Sequence, residues 1–293
     1  MKKRASKWWQ PYLWLLPSCV LMLAMVFFPI LRTLQLSCSK ISRSGVVKGF
    51  NGLENFSAVL KNPTLYRVLG NTLLWVLCVV GISTVLGLAL ALLMNKRFRG
   101  RKLVRTILLF PWATALVITA AIWKYILDYN YGALNALLIR LGLSQRGVNW
   151  MLTPASSFFW IIVVGIFVTV PFVTFCLLSG LQSIPQDYYE AASIDGAGFW
   201  TRLTRITLPL LKPSLNVSTV LNVIYVFNSF AIVWTLTRGD PVYKTDTIVT
   251  YLYKLAFYNN RKGEAAAVSV LGFAILLLFA LIYMRTVMGE KKK

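Results

Sequence analysis

Residues 182–213 read QSIPQDYYEAASIDGAGFWTRLTRITLPLLKP, a polar interruption between two long apolar runs. The stretch holds Asp187, Glu190 and Asp195, three of only nine acidic residues in the 293-residue chain. A loop of this length in so apolar a chain does more than join its neighbours. Its local chemistry predicts two short helices joined by a turn. Ser183 is placed to cap the first helix, with Pro185 in the opening turn, where the missing N–H costs nothing. Gly196 supplies a left-handed residue to stop it. That helix would present Glu190, Ala191 and Ala192 on a compact, small-residue surface. A second amphipathic helix is expected from Phe199, because Phe199, Leu203 and Ile206 recur at i, i+4 and i+7 while Arg202 and Arg205 occupy another face. Pro209 and Pro213 are expected to end it and turn the chain back into an apolar run. Such a pair of helices suits a membrane surface where a soluble partner docks.

The composition sets the class. Hydrophobic residues make up 57% of the chain and the mean hydropathy is +0.66, as in a polytopic membrane protein. A formal charge of +22 belongs to the short loops of a basic membrane protein, and no nucleic-acid-binding motif accompanies it. Cys19, Cys38, Cys78 and Cys176 lack C-x-x-C spacing and read as small hydrophobes rather than as disulfide or metal partners.

Six runs are long enough to cross a hydrocarbon core, which takes about 20 helical residues. They are 12–36, 72–94, 107–126, 158–181, 215–236 and 265–284, in a single membrane domain. The first is too long for a signal peptide and reads as an uncleaved anchor. Cations cluster in Lys2, Lys3, Arg4 and Lys7, in Lys96, Arg97, Arg99, Arg101, Lys102 and Arg105, and in Lys291, Lys292 and Lys293. With six spans these regions share one side with the 182–213 loop, and the positive-inside rule makes that side and both termini cytoplasmic. Lys40, Arg43, Lys48, Lys61 and Arg67 in the first outside loop weaken the contrast, but density in the short loops favours this orientation. Trp8, Trp9, Trp14, Trp75, Trp123, Trp150 and Trp160 are expected mostly near the interfaces, as an aromatic belt.

Absent residues exclude whole classes of chemistry. The chain has no histidine, so histidine acid–base catalysis, the Ser-His-Asp triad and histidine metal sites are ruled out. No G-x-x-x-x-G-K-[ST] loop exists to bind ATP. All nine acidic residues are expected in loops or at helix ends, leaving no intramembrane carboxylate for a proton relay. No catalytic residue, metal site or cofactor is therefore expected; a sodium site of backbone carbonyls and hydroxyls stays open but has no support in the sequence, and energy is expected to enter from outside the bilayer.

Glu190-Ala191-Ala192, Asp195-Gly196-Ala197, Ile206, Leu208-Pro209 and Pro213 resemble the EAA loop of binding-protein-dependent ABC importer permeases. The lead-in Leu181-Gln182-Ser183-Ile184-Pro185 is similar to the carbohydrate branch. Phe50-Asn51-Gly52-Leu53-Glu54-Asn55-Phe56, Asn71-Thr72, Gly132-Ala133-Leu134-Asn135, Leu236-Thr237-Arg238-Gly239-Asp240-Pro241 and Gly263-Glu264-Ala265-Ala266-Ala267 also match the larger permease subunit of maltose-like sugar importers. Asp240 stands where a second glycine is usual, and Ala231 where an acidic residue is common. The resemblance implies an all-α, six-span type I importer permease with a cytoplasmic coupling helix, in a bacterial or archaeal inner membrane. It implies a second related permease, two ATPase subunits and an extracytoplasmic solute-binding protein as partners. In that picture Glu190 sits deepest in the ATPase cleft, Gly196 permits the turn, and Arg202 and Arg205 hold the helix against ATPase acids or lipid phosphates.

Asn222, Tyr225, Asn228 and Ser229 recur at i, i+3, i+6 and i+7 in the fifth span, a stripe of hydrogen-bonding groups. It either lines a translocation path, offering partners to sugar hydroxyls, or bonds across a helix interface. Pro17, Pro29, Pro111 and Pro171 are candidates for bends. A stand-alone secondary carrier or channel is the alternative function, and a membrane enzyme lacks the residues it would need.

Overall fold

The computed structural model describes residues 10–240 and 243–290. The basic residues Lys2, Lys3, Arg4 and Lys7, the pair Trp8 and Trp9, Pro241 and the Lys291–Lys293 cluster lie outside the described residues. Those within Met1–Pro63 and Leu252–Ile275 form one compact unit, and those within Thr64–Tyr251 and Leu276–Lys293 form the other.

The first unit opens with α1 (Gln10–Met22), a π-helical turn at Leu23–Phe27 and α2 (Phe28–Ser37), which together give the apolar span Tyr12–Ser37. The π turn has a local cause. The Phe28 N–H bonds back to the Leu23 carbonyl, an i→i+5 step immediately ahead of Pro29, which has no N–H to offer. A short hairpin follows, β1 (Ser39–Ile41) antiparallel to β2 (Val47–Phe50), with Ser39 opposite Phe50 and a bulge at Lys40/Ile41. Neither strand alternates clearly between apolar and polar residues, so the sequence carries no legible signal for it. The next helix is α3 (Glu54–Leu60). At its start the Asn55 side-chain amide donates to the Ser37 and Ser39 carbonyls at 2.9 and 3.0 Å, closing α2 onto the hairpin. The same Asn55 lies against Gly263, where an added Cβ would come within 2.8 Å of Asn55 Nδ2.

The second unit is built on α4 (Pro63–Asn95), α5 (Arg101–Ala113), α6 (Leu116–Ile126), α7 (Ala133–Arg140) and α8 (Pro154–Gln182). It continues through α9 (Asp187–Ile194), α10 (Phe199–Arg202), α11 (Leu208–Phe227) and α12 (Ala231–Thr237) to α13 (Ile248–Tyr253). The last helix, α14 (Lys262–Glu290), belongs partly to each unit. Trp75, Val79, Ile161, Val164, Val168, Val223 and Ile232 share one buried cluster. Met94, Val173, Leu177, Leu181 and Leu211 share a second. Gly165 lets the Trp75 ring lie on the α8 backbone, and Gly180 lets α11 approach at Ser214, since a Cβ at either glycine would overlap its neighbour.

The expected run 107–126 is not one straight span. Among the described residues five helices are long and apolar enough to cross a membrane, and α5 with α6 supplies a sixth crossing only as a pair bent by 98°. Thr114 and Ala115 are both extended at the bend. The Thr114 hydroxyl donates to the Pro111 carbonyl at 3.1 Å and shares a 2.7 Å bond with the Thr119 hydroxyl, which holds the corner. The expected run 215–236 is displaced too. Its helix extends over Phe199–Phe227 and stops nine residues short of Leu236, with Ala231–Thr237 forming the separate α12. Trp75 is not an interfacial residue: it is 1% exposed, and its indole N–H donates at 2.8 Å to the Val226 carbonyl in the last turn of α11, which also accepts from the Ser229 N–H at 3.1 Å.

Candidate functional site: the 182–213 segment and the far end of α11

The segment between α8 and α11 folds as two helices, with three departures from the sequence reading. Ser183 does not cap the first helix. It terminates α8, its hydroxyl donating to the Gly180 carbonyl at 2.8 Å, and α9 begins at Asp187 without a side-chain cap. Pro185 accordingly stands before α9 rather than in its first turn. Pro209 and Pro213 do not end the second helix either. From Phe199 the helix passes through a π turn at Leu203–Thr207 into α11, with Pro209 in the first turn of α11 and Pro213 inside it. The Leu208 N–H reaches back to the Leu203 carbonyl immediately ahead of Pro209, the arrangement already met ahead of Pro29. The i→i+5 step shifts the register where proline removes a donor, so the helix continues.

Gly196 adopts φ +73°. Its N–H donates to the Ser193 carbonyl at 3.1 Å and the Ala197 N–H to the Ala192 carbonyl at 2.8 Å, the paired bonds of a Schellman stop. Glycine is required there by the backbone. Asp187 and Glu190 sit in the first turn of α9, where the helix dipole favours negative charge. Ala192 is buried, whereas Glu190, Ala191 and Asp195 are exposed.

Side chains brace the two helices against each other. Arg202 Nη1 donates to the Ser193 hydroxyl at 3.1 Å, Ser193 donates to the Tyr189 carbonyl at 2.6 Å, and the Tyr189 and Thr207 hydroxyls are 3.1 Å apart. Arg202 is therefore committed inside the segment, while Arg205 is exposed. On this frame Ile194 is 88% exposed and Trp200 73%. Two large apolar side chains are thus left in the open on a braced, charged segment. Tyr189, Ser193, Ile194, Trp200 and Thr207 escaped the sequence reading. Only Trp200, an aromatic in a polar loop, carried a signal there.

At the other end of α11 the expected stripe is split. Asn222 is 1% exposed and donates to the Ser83 hydroxyl of α4 at 2.9 Å. Tyr225 is exposed. Asn228 is the C-cap rather than a helical residue, and its amide donates to the Ile224 carbonyl at 2.8 Å. Ser229 is buried beyond the helix. The Asn222 side-chain oxygen and the Ser229 hydroxyl are both buried without a hydrogen-bond partner.

Motif pieces distant in sequence meet here. The Asn71 amide donates to the Lys244 and Asp246 carbonyls, each at 3.0 Å, and Thr72 Oγ1 accepts from the Ile248 N–H at 2.9 Å. The Asp246 carboxyl group lies on Gly239, leaving no room for a Cβ at φ +76°. Asn135 fastens its own loop, donating to the Asp128, Tyr129 and Val148 carbonyls and accepting from Val148 N and Trp150 Nε1. No group of three or more metal-ligating side chains converges among the described residues.

Residues 83–288 match the family described as the binding-protein-dependent transport system inner membrane component. A "Probable ABC transporter permease protein" of Brucella suis biovar 1 (strain 1330) is 43% identical over 275 residues, covering 94% of this chain and 95% of that protein. The "Trehalose/maltose transport system permease protein" of Thermococcus litoralis is 38% identical, covering 94% of this chain and 92% of its own. Among solved structures, the crystal structure of a bacterial ABC transporter involved in the import of the acidic polysaccharide alginate has a TM-score of 0.84 at 25% identity. That match covers 95% of this chain and 94% of the other. Together with an all-helical membrane body that ends in a braced polar segment, these likenesses place the protein in that family: it is the membrane-spanning permease subunit of an ABC importer and not its ATPase.

Proposed function

We propose that this permease carries a sugar or sugar derivative across the inner membrane, driven by ATP hydrolysis on separate subunits through the 182–213 segment. The observation that carries the reading is the exposed Ile194–Trp200 surface on an internally braced pair of helices. A surface rigid enough to transmit force and apolar enough to seat in a cleft is what coupling to a soluble motor needs. Glu190, Ala191, Ala192, Asp195, Gly196 and Ala197 form the docking helix and its stop. Arg202 holds the helices together, Arg205 faces the partner or the lipid phosphates, and Pro209 marks where the segment joins α11. The lever is Gln186–Leu208, and the unbroken path from Phe199 to Phe227 carries its displacement into the membrane.

The chain acts as one permease domain beside a second, related permease, with two ATPase subunits at the cytoplasmic face and a solute-binding protein outside. Both termini are cytoplasmic in this arrangement. The sugar class is supported by relatives named for trehalose and maltose, sulfoquinovosyl glycerol and diacetylchitobiose. Asn222, Tyr225, Asn228 and Ser229 contribute to the translocation path, a reading supported by the exposed Tyr225 and by the buried oxygens of Asn222 and Ser229, which have no partner within the chain.

Proteoliposomes test the reading. Uptake of labelled oligosaccharides by the intact complex should require ATP on the coupling-segment side and the binding protein on the other. Uptake that persists after the nucleotide-hydrolysing subunits are stripped away would overturn it in favour of a stand-alone carrier.

A further inference from the structure

Six cations and no acid occupy residues 96–105. Lys96, Arg97, Arg99 and Lys102 are exposed, as a solvated edge requires, but Arg101 and Arg105 are half-buried. They lie one helical turn apart on the stripe of α5 that also carries Val104 and Leu108, which pack against the Met94, Leu177 and Leu181 cluster. The outward face of α5 is apolar: Leu103, Ile107 and Phe110 are exposed.

The two guanidinium groups share one neutral acceptor. With the Gln182 amide oxygen turned toward them, it accepts from Arg101 Nη2 at 3.2 Å and from Arg105 Nη2 at 3.3 Å. Neither arginine forms an ion pair with a carboxylate among the described residues. Both Nε atoms are shut off from solvent without an acceptor. Like charges held this close repel more strongly in protein than in water, and desolvated donors left unmade cost stability. An anion with several acceptor oxygens offsets the repulsion between the two charges, and guanidinium forks match phosphate geometry.

We propose that Arg101, Arg105 and Gln182 bind the headgroup phosphate of an anionic phospholipid at the root of the coupling segment. The lipid source follows from position. Leu103 and Ile107 stand exposed on the opposite face of α5 within the same two turns, so acyl chains lie along that outward face and headgroup phosphates lie at the height of the guanidinium pair. Gln182 ends α8 five residues before α9 begins. Occupancy therefore steadies the frame on which α9 is carried, and membrane charge tunes coupling. That last consequence rests on the function proposed above; the lipid site itself does not.

The intact transporter complex in nanodiscs of phosphatidylcholine, with or without phosphatidylglycerol, provides the test. Native mass spectrometry should find phosphatidylglycerol retained, and Arg101→Gln/Arg105→Gln should weaken that retention about thirty-fold. Arg101→Lys/Arg105→Lys should keep most of it. Substrate-stimulated ATP hydrolysis should rise with phosphatidylglycerol in the native protein and stay flat in the glutamine variant. Gln182→Glu offers an internal anion, and should make hydrolysis independent of phosphatidylglycerol even where the double variant fails to assemble. Unchanged lipid retention in the glutamine variant overturns the site. Displacement of phosphatidylglycerol by millimolar inorganic phosphate would mean a free-anion site and overturns the lipid assignment. An effect on hydrolysis without any change in lipid retention points to an ATPase carboxylate and overturns it as well. Because retention is read without ATP, failure of the coupling reading leaves this test intact.

Discussion

The two ends of α11 obey opposite rules. At the coupling end two prolines, Pro209 and Pro213, fall in or near the first turn and the helix runs on through them. At the far end no proline is present, yet the helix stops at Phe227 and α12 starts afresh at Ala231. The coupling end stays whole because the π turn at Leu203–Thr207 shifts the hydrogen-bond register just before Pro209. At the far end partners from another helix share its groups: the Trp75 indole donates to the Val226 carbonyl beside the Ser229 N–H, and the Asn222 side chain donates to Ser83. Proline thus marks a site where a donor is missing and does not by itself decide whether a helix ends.

The comparison can be broken most severely at its coupling end. Proline cannot reach φ +73° and has no N–H for Ser193. Gly196→Pro should therefore reduce substrate-stimulated ATP hydrolysis to the basal rate while the chain still inserts and assembles. Normal coupling in that variant removes the lever. A smaller effect is expected at the far end from Trp75→Phe, which removes one donor to the Val226 carbonyl while the Ser229 N–H remains, and should cost about 1 kcal/mol, read as a lower unfolding temperature of the complex in detergent. An unchanged transition would mean that the break does not need its indole partner. The smallest structural effect is expected from Asn222→Leu with Asn228→Leu, about 0.6 kcal/mol for an interhelical bond in a membrane. Its value lies in transport: uptake should fall although assembly is kept, and unaltered uptake confines both asparagines to packing.

Legibility differed by residue. Gly196 was readable because a left-handed stop is a local backbone demand that a single glycine meets. Ser183 was misread because α8 runs on to Gln182, which makes Ser183 its C-cap, while α9 starts only at Asp187. Trp75 looked interfacial by position, but Gly165 opposite it opens a slot in α8 that no one-dimensional pattern reveals. Pro111 was legible as a candidate for a bend, but hydropathy records how greasy 107–126 is and says nothing of how sharply the chain turns, 98° between Ala113 and Leu116. The hairpin 39–50 was missed because its short strands lack alternation. The motif residues Asn55 and Gly263, like Asn71 and the segment after Gly239, proved to be contacts across the chain.

Composition and spacing alone determined that the chain is a helical membrane body and that a polar segment interrupts its apolar runs at 182–213. Those properties follow from transfer energies and local backbone demands, which each residue carries wherever it is placed. Tertiary structure alone decided where α11 begins and ends, that Arg202 serves the segment itself, and that Arg101 and Arg105 share one neutral oxygen. A hydrogen bond is settled by which partner arrives at about 3 Å, and that depends on packing between helices far apart in the chain.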